Sequence, residues 1–464
     1  MSARREGWRT ARSMAAAAQG TTSESPVVAP VAPPPTAAPA PVRRAVRDVW
    51  RDLVQLRSRL GAVTWSLTFI GILGYLFAAV TYRLPIGEAS IIAALAGLLL
   101  VPGGLRFPAS AGLFVAFLLW AGVGALFSPW RSVAFDAWLE LGKVGLIYLA
   151  IVNGVRTRSQ IWFFMVAFLA LYGSHPVRGT LVNYVTGNTY FGRAAWYQGI
   201  FSNPNDLAAL TILQLSMAAA LLLTEKKGLV RLGALFAVAA LPFTIIVTQS
   251  RAVLLALGVF VIGALWSHPK RFKFFMILVV LGAALAFLAP KGVWDRLSGL
   301  RYATSTSTLN EVDEMGSAEQ RWQIWQTGMR IFKANPVNGV GLGAYRYANG
   351  SVSEILGDRD AHSTYITLLA ENGVIGLALF LLLVGATLVH SRSVRRRIKR
   401  LLPEAATQLR FLELGLLCFM IAAIWGSYSK LTFFYVHIAL IWSLATAAER
   451  EAAEARRIVL RPGA

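Results

Sequence analysis

Residues 363–389 read STYITLLAENGVIGLALFLLLVGATLV and contain a single charged side chain, that of Glu371. A helix needs about 20 mostly apolar residues to cross the hydrocarbon layer of a membrane. In lipid, only helices and closed barrels satisfy the hydrogen bonds of the backbone. The stretch therefore predicts a transmembrane helix.

Similar apolar stretches recur along the chain. Of its 464 residues, 56% are hydrophobic and only 15% are charged, whereas soluble domains have roughly 25% charged residues. We therefore predict an all-α polytopic membrane protein of about twelve transmembrane helices. These helices are expected near 64–82, 87–102, 108–128, 132–153, 160–178, 203–223, 229–247, 250–267, 272–289, 363–389, 409–428 and 431–447.

The basic residues are concentrated in alternate loops between these helices. The chain has 45 Lys and Arg against 23 Asp and Glu, a net charge of +22. Short basic loops face the cytoplasm, so both termini are predicted to be cytoplasmic. This placement indicates topology and contact with membrane lipids, and nucleic-acid binding is not expected. The predicted cytoplasmic loops contain Arg106, Arg156, Arg158, Lys226, Lys227, Arg231, Lys270, Arg271, Lys273 and the basic run at 392–400.

The chain is predicted to consist of six segments. The first is rich in Pro and Ala, a composition that favours disorder. Two outer connections, at about 179–202 and 291–361, are long enough to indicate a functional role. The segments are a disordered cytoplasmic tail (1–42), a basic amphipathic interfacial helix (43–62), membrane helices one to nine (63–290), a large outer loop (291–362), membrane helices ten to twelve (363–447) and a cytoplasmic tail (448–464).

The large outer loop contains a predicted amphipathic helix at 317–334. Ser317 and Gln320 have the spacing of a capping box, and Trp322 and Trp325 begin an apolar stripe on one helix face. The helix is expected to end before Asn335-Pro336, because proline disfavours a helical residue before it.

His362 is a candidate general base. It precedes a long apolar helix, and the positive end of the helix dipole favours a neutral imidazole. A neutral imidazole can accept a proton near pH 7. The carboxylates of Asp358 and Asp360 would instead favour the charged imidazole. The alternative interpretation is a histidine that caps the helix or lies at the membrane interface.

Arg251 and Arg193 are candidate phosphate ligands, since a guanidinium binds phosphate through two parallel hydrogen bonds. Arg251 lies in a tight predicted turn, Thr248-Gln249-Ser250-Arg251, between two apolar helices. Burial there is costly unless the arginine is paired or snorkels to the interface. Arg193 lies in a predicted outer loop, where an ordinary surface role is the alternative.

Other polar residues have structural interpretations. Asn203 and Pro204 suit the N-cap and first turn of a membrane helix. Asp136, Glu140 and Lys143 share one helix face and predict an internal ion pair. Gly339, Gly341 and Gly343 predict a turn rather than a nucleotide-binding loop, because no strand precedes them and no helix is predicted to follow.

We expect neither a metal nor a cofactor. Asp358-Arg359-Asp360 has the Asp-x-Asp form that holds metal in many glycosyltransferases, but the pattern is short and contains an arginine. The one cysteine, Cys418, lies in an apolar run, so a Cys-rich metal site is not possible. The other histidines show no metal-ligand spacing and are interpreted as structural; they are His175, His268, His390 and His437.

The order of these motifs resembles that of the O-antigen ligase family, within the wider group of O-antigen ligases and polymerases. The resemblance spans about 64–447. One departure is Ser363, where members of the family often carry asparagine. The segments that carry the resemblance are GIFSNPNDLA (199–208), TQSR (248–251), residues 321–343 with NPVNGVGLG (335–343), AHSTY (361–365) and ENGVIG (371–376).

The resemblance implies a GT-C type glycosyltransferase in the bacterial inner membrane. Such an enzyme takes glycan from undecaprenyl diphosphate at the periplasmic face and transfers it to a lipid A core oligosaccharide. In this reading His362 deprotonates the acceptor, and Arg193 and Arg251 bind the departing diphosphate without a metal. The residues expected to support them are Arg321, Asn203, Asn205 and Tyr365.

Three alternatives remain open from the sequence. An O-antigen or exopolysaccharide polymerase would use the same donor but extend a carrier-linked glycan. A protein-glycosylating ligase would transfer the glycan to protein. A polyprenyl-lipid flippase or other transporter belongs to a different class and should carry its charges near the membrane midplane, with broken helices.

Overall fold

The computed structural model describes residues 40–100, 105–190, 192–266, 317–353 and 357–459, with isolated positions between 267 and 316. The predicted membrane helix at 272–289, the beginning of the large outer loop and nearly all of the tail at 1–42 lie outside the described residues. The chain divides into two units, Met1–Val49 and Trp50–Ala464. In the first unit only helical backbone from Ala40 is described, and the following concerns the second.

The described residues are almost entirely helical, with one isolated β-bridge between Tyr190 and Arg193. A π-helical turn, Gly173–Val177, follows α6, and 3-10 turns cover Gly199–Phe201 and Ala423–Trp425. The helices are α1 (Ala40–Gly61), α2 (Leu67–Thr81), α3 (Gly87–Leu99), α4 (Ala109–Phe127), α5 (Arg131–Gly154), α6 (Arg158–Tyr172), α7 (Arg178–Val185), α8 (Pro204–Thr224), α9 (Leu229–Val247), α10 (Arg251–Leu265), α11 (Ser317–Ala334), α12 (Tyr345–Val352), α13 (Thr364–Ile398), α14 (Pro403–Ala422) and α15 (Thr432–Val459).

Seven spans within the described ranges are long and apolar enough to cross a membrane, and α2, α3 and α10 are shorter apolar helices. The chain is thus a polytopic membrane protein. Helix α5 is also long but carries four charged residues. The seven spans are Ala109–Phe127, Arg158–Val185, Pro204–Thr224, Leu229–Val247, Thr364–Ile398, Pro403–Trp425 and Thr432–Arg457.

Several helix ends differ from the predicted ones, and three of the differences have a visible cause or consequence. Helix α1 begins at Ala40, inside the predicted tail. The last helix, α15, continues to Val459, because the Ala-, Glu- and Arg-rich sequence beyond 447 favours helix. Helix α14 ends at Ala422 rather than 428, since Gly426 adopts an extended conformation.

The predicted ion pair on α5 is present between Glu140 and Lys143, but it lies on the surface rather than inside the bundle. Lys143 Nζ is 2.9 Å from Glu140 Oε1 and 3.0 Å from Glu88 Oε1 on α3. The side chains of Glu140 and Glu88 are 71% and 79% exposed. Helix α3 supplies an acidic partner that spacing along α5 does not reveal.

Helix α8 lies in the core of the bundle. It is apolar on all sides and is buried along most of its length, as expected for a helix surrounded by others. Helices α9 and α14 pack against it. Asn203 caps its amino terminus by accepting a hydrogen bond from Asn205 N at 2.8 Å, as predicted. Helix α8 thereby brings the segment Asn203–Asp206 to one end of the bundle.

Helix α13 is broken at Gly373, where φ is 65° and ψ is −169°. In a continuous helix, the carbonyls of the preceding turn would accept N–H groups four residues ahead. Here the turn at 335–343 and α4 supply other donors, and Val374 N donates to Pro336 O at 2.9 Å. The carbonyls of Ala370, Glu371 and Asn372 accept from Val340 N, Gly341 N and Trp120 Nε1, each at 2.9 Å.

The buried carboxylate of Glu371 joins this break to the helices of the outer loop. Its Oε1 accepts from Tyr345 N, the first residue of α12, at 3.2 Å. A carboxylate is favourable at a helix amino terminus. The hydroxyl of Tyr345 in turn donates to Ile324 O on α11 at 2.8 Å. The break therefore anchors α11 and α12, and with them the residues that these helices hold.

Candidate active site

His362 lies two residues before α13 and has a left-handed backbone with φ +48°. Ser363 is the N-cap of the helix. Thr364 fixes the helix start, because its Oγ1 donates to Gly426 O at 2.6 Å and accepts from Tyr428 N at 2.8 Å. The structure therefore places His362 at the amino-terminal end of α13, on a segment held by residues 426–428.

Arg193 is held where the start of α8 meets the turn between α9 and α10. Its Nη2 donates to Asn205 Oδ1 at 2.7 Å, and its Nε donates to Thr248 O at 2.9 Å. Gln249 Nε2 also donates to Gly192 O at 2.8 Å. Arg251 is half-buried and is the first residue of α10, directly after this turn. Both predicted phosphate ligands thus belong to one connected region.

Tyr428 connects the arginine region to the histidine segment. The side chain is 1% exposed. Its hydroxyl donates to Asn205 O at 3.2 Å, while its backbone N donates to Thr364 Oγ1. A continuous hydrogen-bonded route therefore runs from Arg193 through Asn205 and Tyr428 to Thr364, two residues from His362.

The pKa of His362 is lowered below its usual value of 6.5. Burial is the main cause, because a buried imidazole disfavours the charged form. Arg321 on α11 lowers the pKa further, and Arg359 and Arg193 add to this, whereas Asp360 raises it. The imidazole is consequently neutral near pH 7 and can accept a proton.

Three of the predicted supporting residues have identified hydrogen-bond roles. Asn203 is the N-cap of α8. Asn205 binds Arg193 as described above. The hydroxyl of Tyr365 donates to Met420 O on α14 at 2.8 Å, so this side chain connects two helices.

Three further residues of this region were not predicted as site residues: Tyr428, Asp206 and Trp325. Tyr428 lies in a polar run, Gly426–Lys430, between two apolar helices, and this run is a signal that could have identified it. The carboxylate of Asp206 is within electrostatic range of Arg193 and Asp360. Trp325 was assigned only to an apolar stripe, yet its Nε1 donates to Ala361 O at 2.8 Å.

The Asp-x-Asp segment is tied to neighbouring parts of the loop. Arg359 Nη1 donates to Gln320 Oε1 on α11, and Arg346 Nε donates to Asp358 O at 3.1 Å. Among the residues that the structure describes, no group of three or more His, Cys, Asp or Glu side chains is arranged to hold a metal ion.

The fold and this site define a polytopic helical membrane protein with arginines and a neutral histidine gathered at one end of the bundle. Residues 234–381 match the O-antigen ligase family. The chain is also similar to the exopolysaccharide production protein ExoQ of Rhizobium meliloti (strain 1021), with 29% identity over 170 residues, or 35% of either chain. These matches confirm the resemblance to O-antigen ligases and polymerases and support a function of that type.

The family match covers only part of the site. Arg251, Arg321, His362 and the break at Gly373 lie inside residues 234–381, whereas Arg193 and Asn205 precede them. The histidine side of the site and the broken helix therefore lie within the shared sequence. The hydrogen bonds of Arg193 connect the turn between α9 and α10 to α8.

Proposed function

We propose that this protein is a membrane glycosyltransferase of the O-antigen ligase type. It transfers glycan from undecaprenyl diphosphate to a sugar hydroxyl of a lipid A core oligosaccharide. The observation that carries this proposal is the hydrogen-bonded route from Arg193 to the His362 segment, because it holds a phosphate-binding group and a neutral base in one region.

In the proposed reaction, His362 accepts the proton of the acceptor hydroxyl as its oxygen attacks the first carbon of the donor glycan. The bond between that carbon and the diphosphate oxygen breaks as the new glycosidic bond forms. Arg193 and Arg251 stabilise the negative charge on the departing diphosphate, and Arg321 is a further cation beside the histidine.

We also propose the membrane arrangement of a GT-C type enzyme with about twelve helices, cytoplasmic termini and a periplasmic active site in the inner membrane. Ion pairs among the predicted cytoplasmic segments support it. Arg158 lies 3.8 Å from Glu404 and 3.7 Å from Glu451. These segments are the ones that the distribution of basic residues assigns to the inside.

The reaction should proceed without a divalent metal, since the arginines supply positive charge for the leaving group. Purified protein in detergent, given undecaprenyl-diphosphate glycan and a lipid A core acceptor, should form the glycosylated acceptor equally well with and without EDTA. Loss of transfer in EDTA would overturn metal independence. Absence of transfer under both conditions, with carrier-linked glycan left unchanged, would overturn the proposed activity.

An exopolysaccharide or O-antigen polymerase is the second candidate, and the similarity to the exopolysaccharide protein ExoQ favours it. The same assay separates the two functions. A polymerase would produce longer carrier-linked glycan and leave lipid A core unmodified. The broken helix α13 would also suit a transporter, but three of the carbonyls that the break frees accept N–H groups of the outer loop and α4 and so already have partners.

Arg193→Lys is expected to lower the transfer rate by about 10- to 100-fold, although the positive charge is retained. Lysine cannot reproduce the planar contacts with Asn205 Oδ1 and Thr248 O, so its charge would lie in a different place. The measurement is kcat and donor KM of the purified variants. Arg330→Lys, at an exposed position on α11, is the matched control. Equal rates for the two variants would contradict the role of Arg193.

A further inference from the structure

The backbone conformation of His362 requires support from its surroundings. A left-handed conformation is unfavourable for a residue other than glycine, and such residues persist only where neighbouring structure imposes them. On the carboxyl side, the bonds of Thr364 provide this support. On the amino side, the carbonyl of Ala361, which is fully buried, accepts the indole N–H of Trp325 at 2.8 Å.

The helix that carries Trp325 is itself fixed. Gly328, three residues later, packs so closely that a Cβ added there would lie 2.5 Å from Ile366 Cγ2 on α13. The hydroxyl of Tyr345 binds Ile324 O, and Gln320 accepts from Arg359. Because α11 is held at three points along its length, the indole N–H is presented to Ala361 from a rigid support.

We propose that Trp325 is a positioning residue, whose indole N–H fixes the peptide carbonyl before His362 and thereby directs the imidazole toward the acceptor hydroxyl. The inference rests on the proposed function for the identity of the reaction. A change of about 1 Å in the position of a reacting group can lower a rate by about 100-fold, so a single bond at this carbonyl is sufficient to affect catalysis.

An exclusively structural role for Trp325 is the competing interpretation, because tryptophans on amphipathic helices commonly serve packing. The two interpretations differ in what the N–H group does. Trp325→Phe retains a smaller aromatic ring for packing and removes the donor. Trp322→Phe is the matched control, since Trp322 lies on the same helix and is 40% exposed.

In Trp325→Phe, kcat for glycan transfer is expected to fall about tenfold while donor KM stays unchanged, since the Arg193 contacts remain. Backbone amide hydrogen exchange at 361–364, followed by mass spectrometry, should become about tenfold faster. The unfolding temperature should move no more than in Trp322→Phe, which should keep the wild-type kcat and exchange rate.

Wild-type kcat and exchange in Trp325→Phe would overturn the proposal. A rise in donor KM together with a fall in unfolding temperature would also overturn it, because Trp325 would then serve the fold alone. If the wild-type protein transfers no glycan, the proposed function fails, but the exchange measurement still decides whether the indole holds the His362 segment.

Discussion

Replacement of His362 by alanine is expected to lower glycan transfer by about 100-fold or more, with little change in donor KM. General base catalysis contributes roughly 10²- to 10⁴-fold to a rate, and the donor diphosphate would still be bound by the arginines. The measurement is kcat and KM of the purified variants. His175→Ala is the control, because His175 lies in the π-helical turn, where its Nδ1 shares a hydrogen bond with Ser174 and its ring contacts Trp196. A rate for His362→Ala equal to that of the control would contradict the role of a general base.

The pH dependence of the rate provides a second readout of the same prediction. Burial and Arg321 lower the pKa of His362, so the active neutral form should persist below pH 6.5 and be lost as the pH falls through the lowered value. Arg321→Gln removes a cation, which should raise this pKa. The acidic limb of the pH–rate profile, where the rate falls as His362 is protonated, should therefore move to higher pH. Asp360→Asn should move the limb to lower pH. Identical limbs in all three proteins would show that His362 does not control the rate.

The helices could be predicted from the sequence because their signals are local. An apolar stretch of sufficient length is a signal in itself, and α9 has the predicted bounds, Leu229–Val247. The helix in the outer loop also has its predicted bounds, Ser317–Ala334, because a polar cap, an apolar stripe and Asn335-Pro336 mark its ends.

Contacts between distant parts of the chain could not be predicted. The indole of Trp120 binds Asn372 O across 252 residues, and Ser128 Oγ donates to Val340 O across 212. Neither contact leaves a pattern in the sequence near either residue. For the same reason, the partner of Lys143 on α3 was not predicted.

The candidate site also contains residues that could be predicted from the sequence and residues that could not. His362 and Arg193 could be selected because imidazole and guanidinium have the chemistry that the reaction requires. Tyr428 and Trp325 act through a phenol hydroxyl, a backbone N–H and an indole N–H. Apart from the polar run around Tyr428, they resemble any core aromatic in a sequence. Their positions became evident only once the helices that they join were in place.

Gly373→Ala is expected to destabilise the protein by about 3 kcal/mol or more and to abolish transfer. The glycine has φ 65° and ψ −169°, a conformation that is nearly exclusive to glycine. An added Cβ would lie 1.9 Å from Val337 O, and the backbone there cannot easily move, because Pro336 O accepts from Val374 N. Relief of the clash must disrupt the turn that anchors α11 and α12, and with it the support for His362.

The matched control is Gly385→Ala in the same helix, where an added Cβ meets nothing within 4 Å. Alanine in a regular helix is favoured over glycine by roughly 0.5–1 kcal/mol, so the unfolding temperature of this variant should stay the same or rise. Thermal unfolding in detergent and the transfer assay provide the measurements. Wild-type stability together with wild-type transfer in Gly373→Ala would show that the break is not required, whereas loss of transfer at unchanged stability would assign the break to the site alone.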